Sequence, residues 1–201
     1  GISYIYVTSQ STSLISQPNG TFTGTLNIVE GTPLQHRFTV NTTNPVRYIL
    51  PNENTDTTSF TVRIQESTSN TSVITYSLLS DLSSVNSIST IYYLQENEDN
   101  LYEVYFGKKP INGNIVLIDY RVCNGTATNG ANTFATPDSL GGYSNFTTTT
   151  SSIAQGGALQ ETIDSIKYNA PFKYQAQDRL VTMQDYKNII LSENGDLSSI
   201  N

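Results

Sequence analysis

The chain has 201 residues, enough for one large domain or two small ones with a core that folds without staples. Ser, Thr and Asn supply 70 of them, only 13% are charged and 10% are aromatic, which excludes both a highly charged disordered chain and a helical bundle. A net charge of −7 with ten scattered Lys and Arg excludes the basic footprint of a nucleic-acid binder and the polybasic segment of a membrane-surface protein, and the single Cys123 excludes an internal disulfide framework and a multi-cysteine metal site.

The chain opens on Ile2, Tyr4 and Tyr6 alternating with smaller residues, a strand pattern with neither the basic start nor the apolar core of a signal peptide. This β-like opening and the uncapped end at Asn201 point to a segment of a longer protein. Phe22, Gly24, Leu26 and Ile28 alternate next, up to the stop at Glu30-Gly31. Arg37–Val40 and Arg47–Leu50 read as strands separated by Asn44-Pro45, followed by Phe60, Val62 and Ile64, and then by Val73–Leu79. Ile91–Leu94, Tyr102–Phe106 and Ile115–Tyr120 are joined by short turn-forming links, so they read as an antiparallel meander. No apolar run approaches the roughly 20 residues of a membrane span.

After Asn124-Gly125 and Asn129-Gly130 the character changes. Gly141-Gly142 and Gly156-Gly157 flank the Thr147–Thr150 run, a stretch that reads as a linker, a surface loop, or an arm ordered against a neighbour's sheet edge. The two glycine pairs are candidate hinges. From Ala158 the period becomes helical, with Leu159, Ile163 and Ile166 on one face, and Ala170-Pro171 is expected to end that helix. Thr182 to Asp185 has the form of an N-terminal capping box for a second helix, whose apolar face is Tyr186, Ile189 and Ile190 and whose stop is Asn194-Gly195. The expected architecture is a β-dominated α+β fold. It comprises an antiparallel β domain over 1–135, a Gly/Thr-rich linker or arm over 136–157, and a two-helix part over 158–201 that continues in a longer protein.

Chemistry is sparse. The one histidine, His36, lies in a strand with no Ser elbow to serve, and reads as structural or exposed. Cys123 follows apolar strand residues and reads as a small hydrophobe rather than a nucleophile. Glu96, Glu98, Asp99 and Glu103 read as a solvated, mutually repelling group. This turn and Asn52–Asp56 are oxygen-rich enough to be weighed as calcium loops, although the second lacks the glycine and distal Glu of an EF-hand, with Arg63 where that Glu belongs. No phosphate-cradling loop is present. Five Asn-x-Ser/Thr sequons, at Asn19, Asn41, Asn70, Asn124 and Asn145, are what so much Asn, Ser and Thr produces by chance. The expectation is a protein that is not an enzyme, with no cofactor and no metal.

The most specific stretch is Ala170-Pro171-Phe172, Tyr174, then Gln177-Asp178-Arg179, Val181-Thr182 and Asp185-Tyr186. It resembles the signature of baseplate J-like proteins, wedge components of contractile phage tails and related injection machines. Upstream, Val29–Gly31, Tyr48–Asp56, Tyr92–Glu96, Tyr102–Gly107 and Gly113–Val116 are similar, in the same order, to the larger T4-type wedge proteins, so the resemblance spans roughly 26–191. Lys108-Lys109-Pro110 departs from it by shortening a turn, and family members are much longer. The resemblance implies a structural subunit of the virion tail baseplate, assembled in the host cytoplasm. It implies pairing with a second copy, joining of wedges into a ring around the hub, and contacts with other wedge and hub-proximal proteins, including the sheath-initiating subunit. It also implies a part in contraction and DNA injection, without nucleic-acid or membrane binding of its own. The eleven motif residues then serve packing or an interface. Asp178 and Arg179 are adjacent and reach other elements, within the chain or across an interface. A carbohydrate-binding β-sandwich adhesin or tail-fibre domain and a carboxylate-only hydrolase are the alternatives weighed from the residues alone.

Overall fold

The computed structural model describes residues 3–79, 86–136, 138–139 and 142–176. Two compact units divide the chain, Gly1–Gly157 and Ala158–Asn201. Among the described residues of the first, ten strands run in chain order: β1 Tyr6–Thr8, β2 Ile15–Ser16, β3 Phe22–Thr23, β4 Ile28–Glu30, β5 Thr32–Thr39, β6 Thr55–Gln65, β7 Val73–Leu78, β8 Ile91–Glu96, β9 Tyr102–Phe106 and β10 Ile115–Val122, followed by a 3-10 turn at Gly125–Thr128. In the second, α1 spans Ile163–Ala176. The β-dominated character holds.

Six strands form one curled, mixed sheet in the order β5-β10-β6-β7-β8-β9. β8 and β9 are the expected hairpin, with Leu94 opposite Val104. The third strand of the expected meander goes elsewhere. β10 leaves β9 and inserts antiparallel between β5 and β6, with Ile118 opposite both His36 and Val62. Its composition explains this. Ile115, Val116, Leu117 and Ile118 are all buried, so the strand is covered on both faces and takes a central place, whereas a one-face alternation suits a meander edge. A second departure is that β7 and β8 run parallel, Ser77 opposite Ile91, within a sheet expected to be antiparallel throughout.

The core is the inner face of this sheet: Val40, Leu50, Val62, Ile64, Tyr76, Tyr92, Val104, Val116, Ile118 and Tyr120. Three of these are tyrosines, each with its ring inside and its hydroxyl turned to an acceptor. Tyr76 donates to the Lys108 carbonyl at 3.0 Å, Tyr92 to the Phe60 carbonyl at 3.5 Å and Tyr120 to Asn52 Oδ1 at 2.5 Å. Burial of the ring raises all three phenols above their ordinary range.

The expected strand over Phe22–Ile28 divides in two. β3 pairs with β2 in a small hairpin, and β4 pairs with β1. Gly31 then turns β4 into β5 at φ +140°, where a Cβ would lie 3.0 Å from Cys123 Sγ. Arg47–Leu50 is likewise not a full strand; it joins the sheet by the single bridge of Ile49 to Glu103.

Candidate assembly interface

The segment 41–54, between β5 and β6, acts as a strap. Asn41 Oδ1 accepts the amides of Thr43 and Asn44 and turns the chain at its start. The strap then lies on the outer edge of β9: Val104 N–H donates to the Tyr48 carbonyl at 3.0 Å, and Leu50 N–H donates to the Tyr102 carbonyl at 2.9 Å. Leu50 is wholly buried. The Tyr48 ring meets Phe38 edge-on at 5.4 Å and Phe106 at 5.2 Å, and Phe106 meets Tyr76 at 5.5 Å. Rings thus bridge the two ends of the sheet, β5 and β9, through the strap.

Glu103 pins the strap from the other face. It is 5% exposed, and Arg47 grips its carboxylate with both Nε and Nη2. The Arg47 hydrogen bond holds the Glu103 carboxyl below the usual carboxylate range, against the opposing effect of burial. This corrects the sequence reading, in which Glu103 belonged to a solvated acidic group. Its place between Tyr102 and Val104 in a strand was the available signal; the Arg47 partner, 56 residues upstream, was not. Tyr105 next to it stacks on Tyr93 at 4.9 Å and 9°.

The outer face of the sheet carries a polar ladder. Arg63 pairs with Asp119 at 2.5 Å, Gln35 donates to the same carboxylate at 2.7 Å, and Arg121 pairs with Asp56 at 2.5 Å. Burial pushes the Asp56 carboxyl up, but hydrogen bonds from Thr58 and Arg121 outweigh it and leave it below its ordinary value. The Asn52–Asp56 turn therefore spends its oxygens internally: Asn52 on Tyr120, the Asn52 carbonyl on Thr55 Oγ1, Asp56 on Thr58 and Arg121. In the Glu96–Asp99 turn, Asn97 Oδ1 accepts the amides of Asp99 and Leu101. Among the described residues no three His, Cys, Asp or Glu side chains gather as a metal-holding group. His36 is half-buried on the inner side of β5, its ring 4.5 Å from Phe38. Half-buried Cys123 donates to the Glu30 carbonyl, and burial pushes its thiol up.

The Gly/Thr-rich stretch begins and ends at one place. Gly130 N–H donates to the Ala154 carbonyl and Ala154 N–H to the Ala131 carbonyl, both at 2.8 Å. Asn129 grips Gly157 twice, accepting its amide at 2.9 Å and donating to its carbonyl at 2.8 Å. A Cβ on Gly157 would lie 2.3 Å from the Gly125 carbonyl oxygen. Thr147–Thr150 is exposed and in no regular element. Of the other proposed hinge pair, Gly141 lies outside the described residues.

Of the family-motif residues, Ala170, Pro171, Phe172 and Tyr174 fall within α1. The expected break at Ala170-Pro171 is absent. The helix continues through Pro171, because the proline removes one amide and crowds one carbonyl, a local cost that the following Lys173, Gln175 and Ala176, good helix formers, do not add to. Phe172 and Tyr174 are thus helical rather than on an extended strip. Leu159 precedes the helix, and Leu159, Ile163 and Ile166 are exposed rather than packed. Ala170, Pro171 and Tyr174 are exposed too. Gln177, Asp178, Arg179, Val181, Thr182, Asp185 and Tyr186, and with them the expected second helix, lie outside the described residues.

No helix among the described residues is long and apolar enough to cross a membrane. No family model matches the chain. Among curated proteins it is similar to the baseplate wedge protein gp6 of Enterobacteria phage T4, 28% identical over 141 residues, covering 55% of this chain and 21% of that protein. The chain thus spans about a fifth of the length of that relative.

Proposed function

We propose that this chain is a structural, non-enzymatic component of a phage tail baseplate, a segment of a wedge subunit that joins neighbouring wedges into a ring around the hub and stays attached while the tail contracts. The observation that carries the reading is the similarity to the T4 wedge protein, across 141 residues. Its partners on this reading are a second copy of itself and other wedge and hub-proximal proteins, among them the sheath-initiating subunit. The exposed apolar residues of α1, Ile163, Ile166, Tyr168 and Tyr174, support a role in contact with a further surface. So does the low charge of the whole chain, which suits broad, wet subunit contacts.

Electron microscopy of intact tails tests this. The expected result is density for the six-stranded curled sheet in the baseplate, repeated around the tail axis. Absence of this polypeptide from purified tails, or turnover of a sugar or peptide by the purified chain, would overturn it.

A further inference from the structure

Asn-Gly pairs lie in the chain at Asn19, Asn112, Asn124, Asn129 and Asn194, the last outside the described residues. The pair is chemically weak. The glycine amide nitrogen, with no side chain beside it, reaches the asparagine carboxamide and displaces ammonia. Two of the pairs belong to the same triplet, Asn19-Gly20-Thr21 and Asn124-Gly125-Thr126. The triplet itself therefore does not separate them, and a difference in their fate comes from the fold.

Asn19 stands in the turn of the β2–β3 hairpin, a sheet of its own whose strands have two residues each. A ribbon of that size is marginal in water and opens readily. Gly20 N–H donates to the Gln17 carbonyl at 3.0 Å, a bond within this turn that opens with it. Asn19 Oδ1 accepts two hydrogen bonds from Thr21, from the amide at 3.1 Å and from the hydroxyl at 2.7 Å. Neither depends on strand pairing. Both donors polarise the carboxamide carbon and face the oxygen that gains charge when a nitrogen adds there. The other described pairs are tied to distant elements. Asn124 Nδ2 donates to one Glu30 oxygen at 2.6 Å and Asn124 N–H to the other at 3.0 Å, so its leaving nitrogen is held. Asn129 grips Gly157 through both ends of its carboxamide, and Gly130 N–H is spent on the Ala154 carbonyl. Asn112 Oδ1 accepts the Thr42 amide, and Gly113 N–H donates to the Val40 carbonyl.

From this contrast we infer that Asn19 is a modification site, at which the folded chain converts itself to aspartate and isoaspartate while Asn112, Asn124 and Asn129 stay intact. Gly20 N forms a bond to Asn19 Cγ, the Cγ–Nδ2 bond breaks, and the proton of the Gly20 amide leaves with Nδ2 as ammonia. Water, the co-reactant, then adds to either carbonyl of the cyclic imide and opens it to aspartate or to isoaspartate. The product carries a new carboxylate within Gly1–Val29, a stretch without Asp, Glu, Lys, Arg or His. Isoaspartate also lengthens the main chain by a methylene inside the turn, which disturbs the register of Ile15 opposite Thr23 and Ser16 opposite Phe22. The site is thus a slow, one-way change of this hairpin from neutral and paired to charged and unpaired. The inference does not depend on the baseplate reading.

The test incubates the full chain in mildly alkaline buffer and follows each Asn-Gly pair by peptide mapping and mass spectrometry. The peptide with Asn19 should gain about 1 Da and split into aspartate and isoaspartate forms. It should do so at least about tenfold faster than the peptides with Asn112, Asn124 or Asn129. In urea that unfolds the chain, the two Asn-Gly-Thr triplets should react within about twofold of each other. Thr21→Val, which removes the hydroxyl donor at an exposed position, should slow Asn19 by about threefold, and Thr21→Ser should keep the rate. Four results each overturn the inference: equal rates at Asn19 and Asn124 in the folded chain, the same difference between them in urea, protection of Asn19 by folding of about tenfold or more relative to urea, or Thr21→Val reacting as fast as the wild type.

Discussion

Glu103 is a buried carboxylate whose described charged partner, Arg47, reaches it from the surface. Replacing it by Gln keeps the shape and removes the charge, and should cost about 1–3 kcal/mol in urea denaturation at neutral pH. The pH dependence has a definite sign. The folded-state pKa lies below the unfolded value of 4.5, so the stabilisation is complete only above that unfolded value and is lost as pH falls from there through the lower folded value. The gap between the wild type and Glu103→Gln should therefore close in acid, and a constant gap from pH 7 to pH 3 would refute the pairing. Gly157 is the second residue with a sharp expectation. Its Cβ position overlaps the Gly125 carbonyl oxygen, which is backbone and cannot swing aside. Gly157→Ala should free the Asn129 clasp, and limited proteolysis should then cut the 131–154 stretch several-fold faster, with the six-stranded sheet unchanged.

Among the elements, the strap closes the sheet and α1 stands exposed. Leu50 fixes the strap by full burial, so Leu50→Ala should lose about 2–5 kcal/mol of stability, read by thermal or urea unfolding. A loss under 1 kcal/mol would mean that the strap is an accessory. In α1, Pro171 lies in the ninth of 14 positions, where the helix gains nothing from it. Pro171→Ala should raise helicity at 222 nm and stabilise the second unit by up to about 3 kcal/mol if the residue is only tolerated. Unchanged helicity would show that the chain is not helical there in solution. The strands were legible where one face alternates, as in Ile91–Leu94 and Tyr102–Phe106. They were misjudged where burial on both faces erased the alternation, as in β10, whose place between β5 and β6 no local pattern encodes.

Across the whole molecule, little of the candidate interface was legible from composition alone. The motif from Ala170 to Tyr186 stood out by residue identity, yet the structure describes only its first part, and finds it helical where proline chemistry argued for a stop. The Arg47–Glu103 clasp and the insertion of β10 between β5 and β6 were invisible, because the first depends on residues 56 positions apart in sequence and the second on a strand's rank in the sheet. In the assembled tail, the baseplate reading places this sheet at a fixed radius around the axis, and a particle map checks it directly.

Thr, Tyr and alternating aliphatic residues determined by themselves that the chain would be mostly strand, because strand preference and a single buried face are local properties. The uncharged polar surface and the absence of a disulfide framework were equally local. Only the tertiary structure decided which strands are neighbours, that one pair is parallel, and that Glu103 is buried. Those outcomes follow from the competition among strands for the few places where both faces are covered, and β10, with the longest aliphatic run of the described strands, took one of them.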